Sequence, residues 1–187
     1  MAKIFAGLLL AVLKFQFGIG SIIVFSTEFL GFFLIYLGCR ELLHTTDKFE
    51  TPANLSLLSA FISAAAAVIG VVSMLFRGIF LLSVISTLLG IVISAAELGC
   101  TILYIVITYM LIDAVSEIEI RYHLNLNAPN IKTAWLIMAA GQLISSVLRH
   151  IHLGFFGVPA SIAAFAASIY LLVCFWRIKV AFDAMRI

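Results

Sequence analysis

Glu97 is the residue of this sequence whose position most invites chemistry. It lies within the longest apolar stretch, Ile79 to Ile112. A charged carboxylate at the centre of a bilayer costs about 2.5 to 3.5 kcal/mol on insertion scales. We therefore expect Glu97 to be protonated, to be paired with a polar group, or to face a water-filled cavity.

Small and hydroxyl-bearing residues recur on the same predicted helix face as Glu97. Residues three, four, seven and eleven positions apart share a face of an α-helix. The stretch Ile79 to Ile112 is the fourth predicted helix, α4, and we call this set the α4 stripe; its members are Ser86, Gly90, Ser94, Glu97, Thr101, Tyr104 and Thr108. Such a stripe is either a packing seam between helices with one buried acid, or a proton relay, cation path or polar-ligand site.

The next apolar segment offers a partner for this acid. Gln142 lies near its middle and shares a face with Met138, Ser145 and Arg149. An amide can donate a hydrogen bond to a carboxylate or accept one from a carboxylic acid. We expect Gln142 to meet Glu97 near the midplane. Arg149 either reaches into the same groove or anchors the helix at the membrane surface.

Other reactive residues show no catalytic or metal-binding spacing. His150 and His152 are two positions apart and do not share a helix face. The cysteines Cys39, Cys100 and Cys174 lie in apolar segments, as small buried residues do. Motifs of zinc hydrolases, phosphate-binding loops and serine hydrolases do not occur. We therefore expect no cofactor, no metal site and no catalytic residue, and we lean against an enzyme.

An acidic cluster, Asp113, Glu117 and Glu119, follows the longest apolar stretch. Glu117 stands four residues before Arg121, and Glu119 four before His123, which is the favourable order for helical ion pairs. The helix is therefore expected to continue beyond Asp113 into water. The cluster is either a solvated extension or a docking surface for a soluble partner.

Composition places the chain in a membrane. Of the 187 residues, 64% are hydrophobic and only 11% are charged, whereas about one quarter of a soluble domain is charged. Too few charged side chains remain to cover a water-facing surface, so the lipid bilayer is the expected surroundings. The formal charge of +2 is too small to indicate a nucleic-acid partner.

The pattern predicts an all-α, polytopic transmembrane helical bundle that forms a single integral membrane domain over residues 1–187. About six helices are expected, or five crossings if residues 4–17 lie at the interface. Ser26 and Glu28 suit the start of the second helix as cap and dipole partner. Breaks are expected at Gly18–Gly20, 125–130, and Gly154 with Gly157. The predicted helices are Ile4–Phe17, Ser26–Leu43, Pro52–Phe76, Ile79–Ile112, Ile131–His150 and Pro159–Phe182.

Basic residues predict the orientation, because lysine and arginine are enriched in cytoplasmic loops. With six crossings, Lys14, Arg77 and Arg149 fall on one side of the membrane. This asymmetry predicts a plasma-membrane protein with both termini in the cytoplasm. The opposite, richer side carries Lys3, Arg40, Lys48, Arg121, Lys132, Arg177, Lys179 and Arg186.

Small residues at four-residue spacing predict tight helix contacts in two further segments. The two sets are Ser59, Ser63 and Ala67, and Ala160, Ala164 and Ser168. Such contacts can form within one chain or between copies.

The second segment contains Phe29-Leu30-Gly31-Phe32 followed by Gly38-Cys39-Arg40-Glu41-Leu42. Over roughly the first 50 residues, the chain resembles a group of uncharacterised bacterial multi-pass membrane proteins. Those carry a proline and an acidic residue before Phe-Ile-Gly-Tyr, then Gly-Leu-x-Glu-Leu. Here the proline is missing and Phe32 replaces the tyrosine. The resemblance implies the membrane class and a bacterial origin, and supplies no functional residue.

Two functions of different classes follow from these observations. The favoured one is a non-catalytic membrane component or accessory subunit, whose partner is another membrane protein or a further copy of the chain. The alternative is a small transporter or permeation protein that uses Glu97 and the α4 stripe as a polar path. The lack of a visible internal repeat favours the first, because transporters are commonly built from repeats.

Overall fold

A computed structural model describes residues 1–13, 16–19, 22–75, 83–121, 128–150 and 154–185. Within these ranges the chain forms six α-helices, two short strands and one turn of 3-10 helix, Asp47–Phe49. The helices are α1 Ala2–Leu13, α2 Glu28–Leu42, α3 Glu50–Leu75, α4 Ser83–Arg121, α5 Ala128–His150 and α6 Gly154–Met185, and the strands are β1 Gln16–Ile19 and β2 Ile22–Ser26.

The described residues lie mainly in α-helices, which confirms the predicted all-α helical bundle. Four of the described helical stretches are long and apolar enough to cross a membrane, namely 47–72, 90–121, 130–148 and 157–182. α1 has 12 residues and α2 has 15, so they are about 18 and 22 Å long. Neither reaches the roughly 30 Å of a hydrocarbon core.

The first 27 residues depart from the prediction of one helix followed by a loose loop. α1 ends at Leu13, and the segment that holds Phe17 and Gly18 forms β1, which pairs antiparallel with β2. The pairing is irregular between Phe17 and Gly18. Ser26 ends β2, so the predicted cap residue was wrong. Thr27 occupies the N-cap position of α2, and its side chain makes no capping hydrogen bond.

The starts of α5 and α6 differ from those predicted from glycine, proline and asparagine, the residues that end helices in soluble proteins. Gly154 and Gly157 lie inside α6, so the predicted turn at these glycines was wrong. Pro159 is the sixth residue of that helix and not its first. α5 starts at Ala128, inside the predicted break. In an apolar environment the backbone must satisfy its own hydrogen bonds, so a helix continues through residues that would end it in water.

Glycines allow α1 and α2 to pack with their backbones almost touching. A Cβ atom added to Gly7 would lie 2.5 Å from the carbonyl oxygen of Gly31. One added to Gly38 would lie 2.7 Å from the backbone nitrogen of Ile4. Side chains larger than hydrogen do not fit at these positions, so these glycines fix the distance between the two helices.

α5 and α6 pack through the predicted small residues. A Cβ atom added to Gly141 would lie 2.7 Å from the carbonyl oxygen of Ala160 and 2.8 Å from Cβ of Ala164. Ala164 and Ser168 are both buried. The close contact predicted for this segment is therefore confirmed within a single chain. Ser59 of the other predicted set is also fully buried.

The hydrophobic core lies towards the end of the bundle where α4 finishes. On α4, the described buried residues begin at Cys100 and continue to Ile118. They pack with the largest buried side chains of the first half of the chain, Phe32, Ile35 and Phe49. The section of α4 from 90 to 99 contributes no buried residue among those described. The part of α4 from Cys100 to Ile118 is therefore enclosed, whereas the described stretch 90–99 is not.

Candidate functional site

The α4 stripe extends across the boundary between the buried part of α4 and its exposed part. Tyr104 and Thr108 are buried, with 5% and 2% of their surface exposed. The ring of Tyr104 contacts that of Phe32 on α2, with centroids 6.4 Å apart. The indole nitrogen of Trp135 donates to the Ile105 carbonyl at 3.0 Å and lies 3.2 Å from the Thr108 hydroxyl. This half of the stripe is a packed seam against α2 and α5.

The other half of the stripe has no such cover. Ser94 and Glu97 are exposed, and Thr101 is half-buried. A Cβ atom added to Gly90 would meet nothing within 4 Å among the described residues. Because Glu97 and Tyr104 are seven residues apart, or two helical turns, they lie on the same face of α4. The polar face is continuous, but its neighbours stop short of Glu97.

The hydroxyl groups of the stripe bond mainly to their own helix. Thr101 donates to the backbone carbonyl of Glu97 at 2.9 Å, and Thr108 donates to that of Tyr104 at 2.8 Å. The contact between Trp135 and Thr108 is the cross-helix bond of the stripe in the described part of the chain. The Thr101 and Thr108 hydroxyls already form hydrogen bonds. Of the exposed polar groups of the stripe, the Glu97 carboxyl group can therefore form the most additional hydrogen bonds.

The distance along α4 between Glu97 and the next charged residue is compatible with a position inside the hydrocarbon layer. Glu97 is the only charged residue between Arg77 and Asp113. It precedes Asp113 by sixteen residues, or about 24 Å of helix. If the charged groups from Asp113 onwards mark one boundary of a core about 30 Å thick, Glu97 lies within that core, nearer its opposite side.

Gln142 lies close to the level of Glu97 but is not bonded to it. Trp135 reaches Thr108, and only residues 122–127 separate the end of α4 from the start of α5, a spacing typical of antiparallel neighbouring helices. Two turns further along each helix, Gln142 is therefore level with Thr101, one turn from Glu97. Gln142 is half-buried. The described side chains show no hydrogen bond between Gln142 and Glu97, so their contact stays a prediction, and the side chain of Arg149 is outside the described part.

A second acid inside the bundle, Glu28, was missed by sequence reasoning. It is the first residue of α2 and half-buried. Phe32, one turn after Glu28 on the same face of α2, contacts the ring of Tyr104 on α4. The sequence did hold a signal, since Glu28 is the only charged residue between Lys14 and Arg40. That isolation identifies it as an acid in an apolar run, as for Glu97.

Thr27 adds an unsatisfied polar atom next to this acid. Its hydroxyl oxygen is buried and has no hydrogen-bond partner in the described part of the structure. A buried hydroxyl without a partner destabilises the fold by roughly 1 to 3 kcal/mol. The start of α2 therefore places a half-buried acid, Glu28, directly after the buried hydroxyl of Thr27.

A separate cluster of polar residues lies at the opposite end of α2. We call it the end cluster; it consists of Thr45, Thr46, Lys48, Asp113, Glu117 and Arg121. Lys48 lies 2.8 Å from Asp113 and 3.4 Å from Glu117. Arg121 lies 3.1 Å from Glu117, which confirms the predicted helical pair. A pocket of about 320 Å³ opens among these side chains.

Two residues of the predicted acidic cluster belong to the end cluster and remain partly exposed, with 42% of the Asp113 side chain and 29% of the Glu117 side chain accessible. Asp113 and Glu117 are paired with Lys48 and Arg121, and the Thr46 hydroxyl donates to Glu117 at 3.2 Å. Arg121 also donates to the Thr45 carbonyl at 2.8 Å. The cluster therefore holds the loop after α2 against the last turns of α4. No group of three or more metal-ligating side chains occurs among the described residues.

Comparison with known proteins identifies no relative. The chain matches no protein-family model, no curated protein and no solved structure. The resemblance of its first 50 residues to bacterial multi-pass proteins stays a prediction. The function must therefore be argued from the geometry of the chain itself.

Proposed function

We propose that the protein is a non-catalytic membrane subunit that assembles with a second copy through the uncovered half of the α4 stripe. The observation that carries this proposal is the exposure of Glu97 on a helix face that is buried two turns away. A carboxyl group facing lipid is unfavourable. Covering it with another polar helix removes that cost.

The chemistry of the surface suits a second copy. A protonated carboxyl group is both a donor and an acceptor, so two Glu97 side chains can bond each other across a two-fold axis. Ser94 and Gly90 are small and lie one and two turns before Glu97 on the same face. Small residues let two transmembrane helices approach closely. The bacterial plasma membrane, with both termini in the cytoplasm, is the proposed location, supported by the basic residues and the resemblance.

Energy transfer between donor- and acceptor-labelled copies in lipid vesicles tests the assembly. Glu97→Leu is expected to weaken association at least tenfold, because interhelical hydrogen bonds contribute about 1 to 2 kcal/mol each in model peptides. Glu97→Gln should retain most of it, since an amide also donates and accepts. Ser161→Leu is the matched control, because Ser161 is exposed on α6.

The energy-transfer results that support the proposal differ from those that would overturn it. Loss of energy transfer in Glu97→Leu alone supports the proposal. A wild-type chain that shows no transfer at any protein-to-lipid ratio would overturn it. So would a Glu97→Leu variant that associates as well as the control.

A second candidate function, proton or cation permeation, is favoured by one specific observation. Glu28 and Glu97 are each the only charged residue of an apolar stretch of the sequence, and Tyr104, which contacts Phe32 of α2, lies about 10 Å along α4 from Glu97. Intramembrane acids and phenols are the usual components of proton paths. Flux of a pH-sensitive dye in vesicles tests it. Glu28→Gln and Glu97→Gln should each abolish flux while the protein stays folded, and unchanged flux in both excludes the path.

A further inference from the structure

The pocket of the end cluster opens where two stretches that are apolar enough to cross a membrane finish. One wall is the loop after α2, and its residues Asp47 and Lys48 begin the stretch 47–72. The other wall consists of Glu117 and Arg121, at the end of the stretch 90–121. A span ends where the hydrocarbon core meets the lipid headgroups. The pocket is therefore at headgroup level.

Asp47 supplies an acid that is not neutralised by the described side chains. It is exposed and lines the pocket. Its carboxylate has no ion pair and no side-chain hydrogen bond among the described residues. Glu117, by contrast, lies 3.4 Å from Lys48 and accepts a hydrogen bond from Arg121. A free carboxylate can accept from a primary ammonium group, which has three N–H donors. The loop wall therefore suits a cationic group of a ligand.

Arg121 supplies hydrogen-bond donors on the helix wall. Two of its five N–H groups bond the Thr45 carbonyl at 2.8 Å and the Glu117 carboxylate at 3.1 Å. Three N–H groups remain, because the described structure shows no further partner for this guanidinium. A planar guanidinium binds phosphate oxygens through pairs of such donors. The helix wall therefore suits a phosphate.

The charges that line the pocket balance one another. Two cations, Lys48 and Arg121, lie with two acids, Asp47 and Glu117. A ligand that carries both charges preserves this balance when its cation meets Asp47 and its anion meets Arg121. We propose that the pocket binds the phosphate and primary ammonium of a phosphatidylethanolamine headgroup. The pocket volume of about 320 Å³ is at the lower end of the range for small-ligand pockets, as a headgroup requires.

Two other common headgroups fit this chemistry less well. Choline carries a quaternary ammonium, which has no N–H group to donate to Asp47 and which is typically recognised by aromatic cages. No tryptophan, tyrosine or phenylalanine occurs among the described residues that line the pocket. Phosphatidylglycerol has no cation, so its phosphate would leave Asp47 unpaired. The pocket is therefore expected to select ethanolamine over both.

Native mass spectrometry of the whole chain in detergent measures this selection. The protein is mixed with equal amounts of phosphatidylethanolamine, phosphatidylcholine and phosphatidylglycerol that carry the same acyl chains, and the bound lipid is identified by its mass. The complex with one phosphatidylethanolamine should be about tenfold more abundant than either other complex. This factor is expected for one charge-assisted hydrogen bond, here from the ligand ammonium to Asp47.

Variants then test whether Asp47 creates the preference. Asp47→Asn should lower the binding of phosphatidylethanolamine about tenfold, to the level of phosphatidylcholine, because the amide lacks the charge that strengthens the hydrogen bond. Glu50→Gln is the matched control, since it removes an exposed acid three residues further along that does not line the pocket. It should retain the preference. Circular dichroism of each variant confirms that the helices persist.

Four results would contradict the proposal. Equal abundance of the three wild-type complexes shows that no headgroup is selected. A preference that survives in Asp47→Asn shows that this carboxylate does not bind the ammonium group. A loss in Glu50→Gln equal to that in Asp47→Asn shows a diffuse acidic surface and no defined site. Displacement of the lipid by an equal concentration of glycerophosphoethanolamine, which has the same headgroup without acyl chains, assigns the pocket to a soluble zwitterion instead of a lipid.

Discussion

Trp135 reaches across from α5 to bond the backbone of α4, with its indole nitrogen 3.0 Å from the carbonyl oxygen of Ile105. The same nitrogen lies 3.2 Å from the hydroxyl of Thr108. The indole ring also packs against Tyr109, with centroids 5.0 Å apart. This contact fixes how far α5 is shifted along α4. It therefore decides which residues of the two helices are at the same level, including Gln142 and Thr101.

Replacing Trp135 by phenylalanine should lower the free energy of unfolding by about 1 kcal/mol, the usual contribution of one hydrogen bond. The phenyl ring keeps part of the contact with Tyr109. Thermal unfolding in detergent, followed by circular dichroism, measures the change. An unaltered unfolding temperature would show that the indole N–H bond does not hold the two helices.

Gly141→Ala should destabilise the protein by about 1 to 3 kcal/mol, the typical cost of overpacking a tight contact. The added Cβ atom would lie 2.7 Å from the carbonyl oxygen of Ala160. Gly99→Ala is the control, since the described structure shows nothing within 4 Å of its added Cβ atom. That variant should be neutral or slightly stabilising, because alanine is the better helix former. Equal losses in both variants would refute the close α5–α6 contact.

Thr27→Val should raise the free energy of unfolding by about 1 kcal/mol, because it removes a buried hydroxyl that has no partner in the described structure. Valine keeps nearly the same volume. Thr108→Val is the comparison, since its hydroxyl is bonded both to its own helix and to Trp135. It should lower stability by about 1 kcal/mol. A loss in Thr27→Val would instead show that this hydroxyl binds a group at the start of α2.

Glu117→Gln should lower stability by about 1 kcal/mol, and the effect should shrink at high salt because exposed ion pairs are screened. Glu117 accepts hydrogen bonds from Thr46 and Arg121 and lies 3.4 Å from Lys48. Asp47→Asn removes one negative charge from the same pocket. The described residues show no ion pair for Asp47, so this variant should leave stability unchanged at either salt concentration.

The sequence was sufficient for the helical class and for the length of α4. Its apolar run lacks turn residues, so α4 was expected to be one continuous helix, and it continues to Arg121. The pairing of Glu117 with Arg121 also followed from spacing alone. These features depend on local periodicity, which a sequence displays directly.

Features that depend on tertiary contact were not predictable. Glu28 looked like a partner for the helix dipole, and only the packing of α2 on α4 places it one turn from the contact between Phe32 and Tyr104. The pairing of Lys48 with Asp113 joins residues 65 positions apart. The strand that contains Gly18 was predicted to be a loop because short apolar runs with glycine carry no distinct period.

The shortness of α1 and α2 changes the membrane beside them. α1 has 12 residues and α2 has 15, whereas α4 has 39. Where the apolar surface of a protein is shorter than the hydrocarbon layer, the bilayer thins locally at a modest energetic cost per ångström. One flank of the protein would therefore compress the lipid while the α4 flank would not. Such hydrophobic mismatch favours thin bilayers, so the protein should partition towards vesicles made of short-chain lipids.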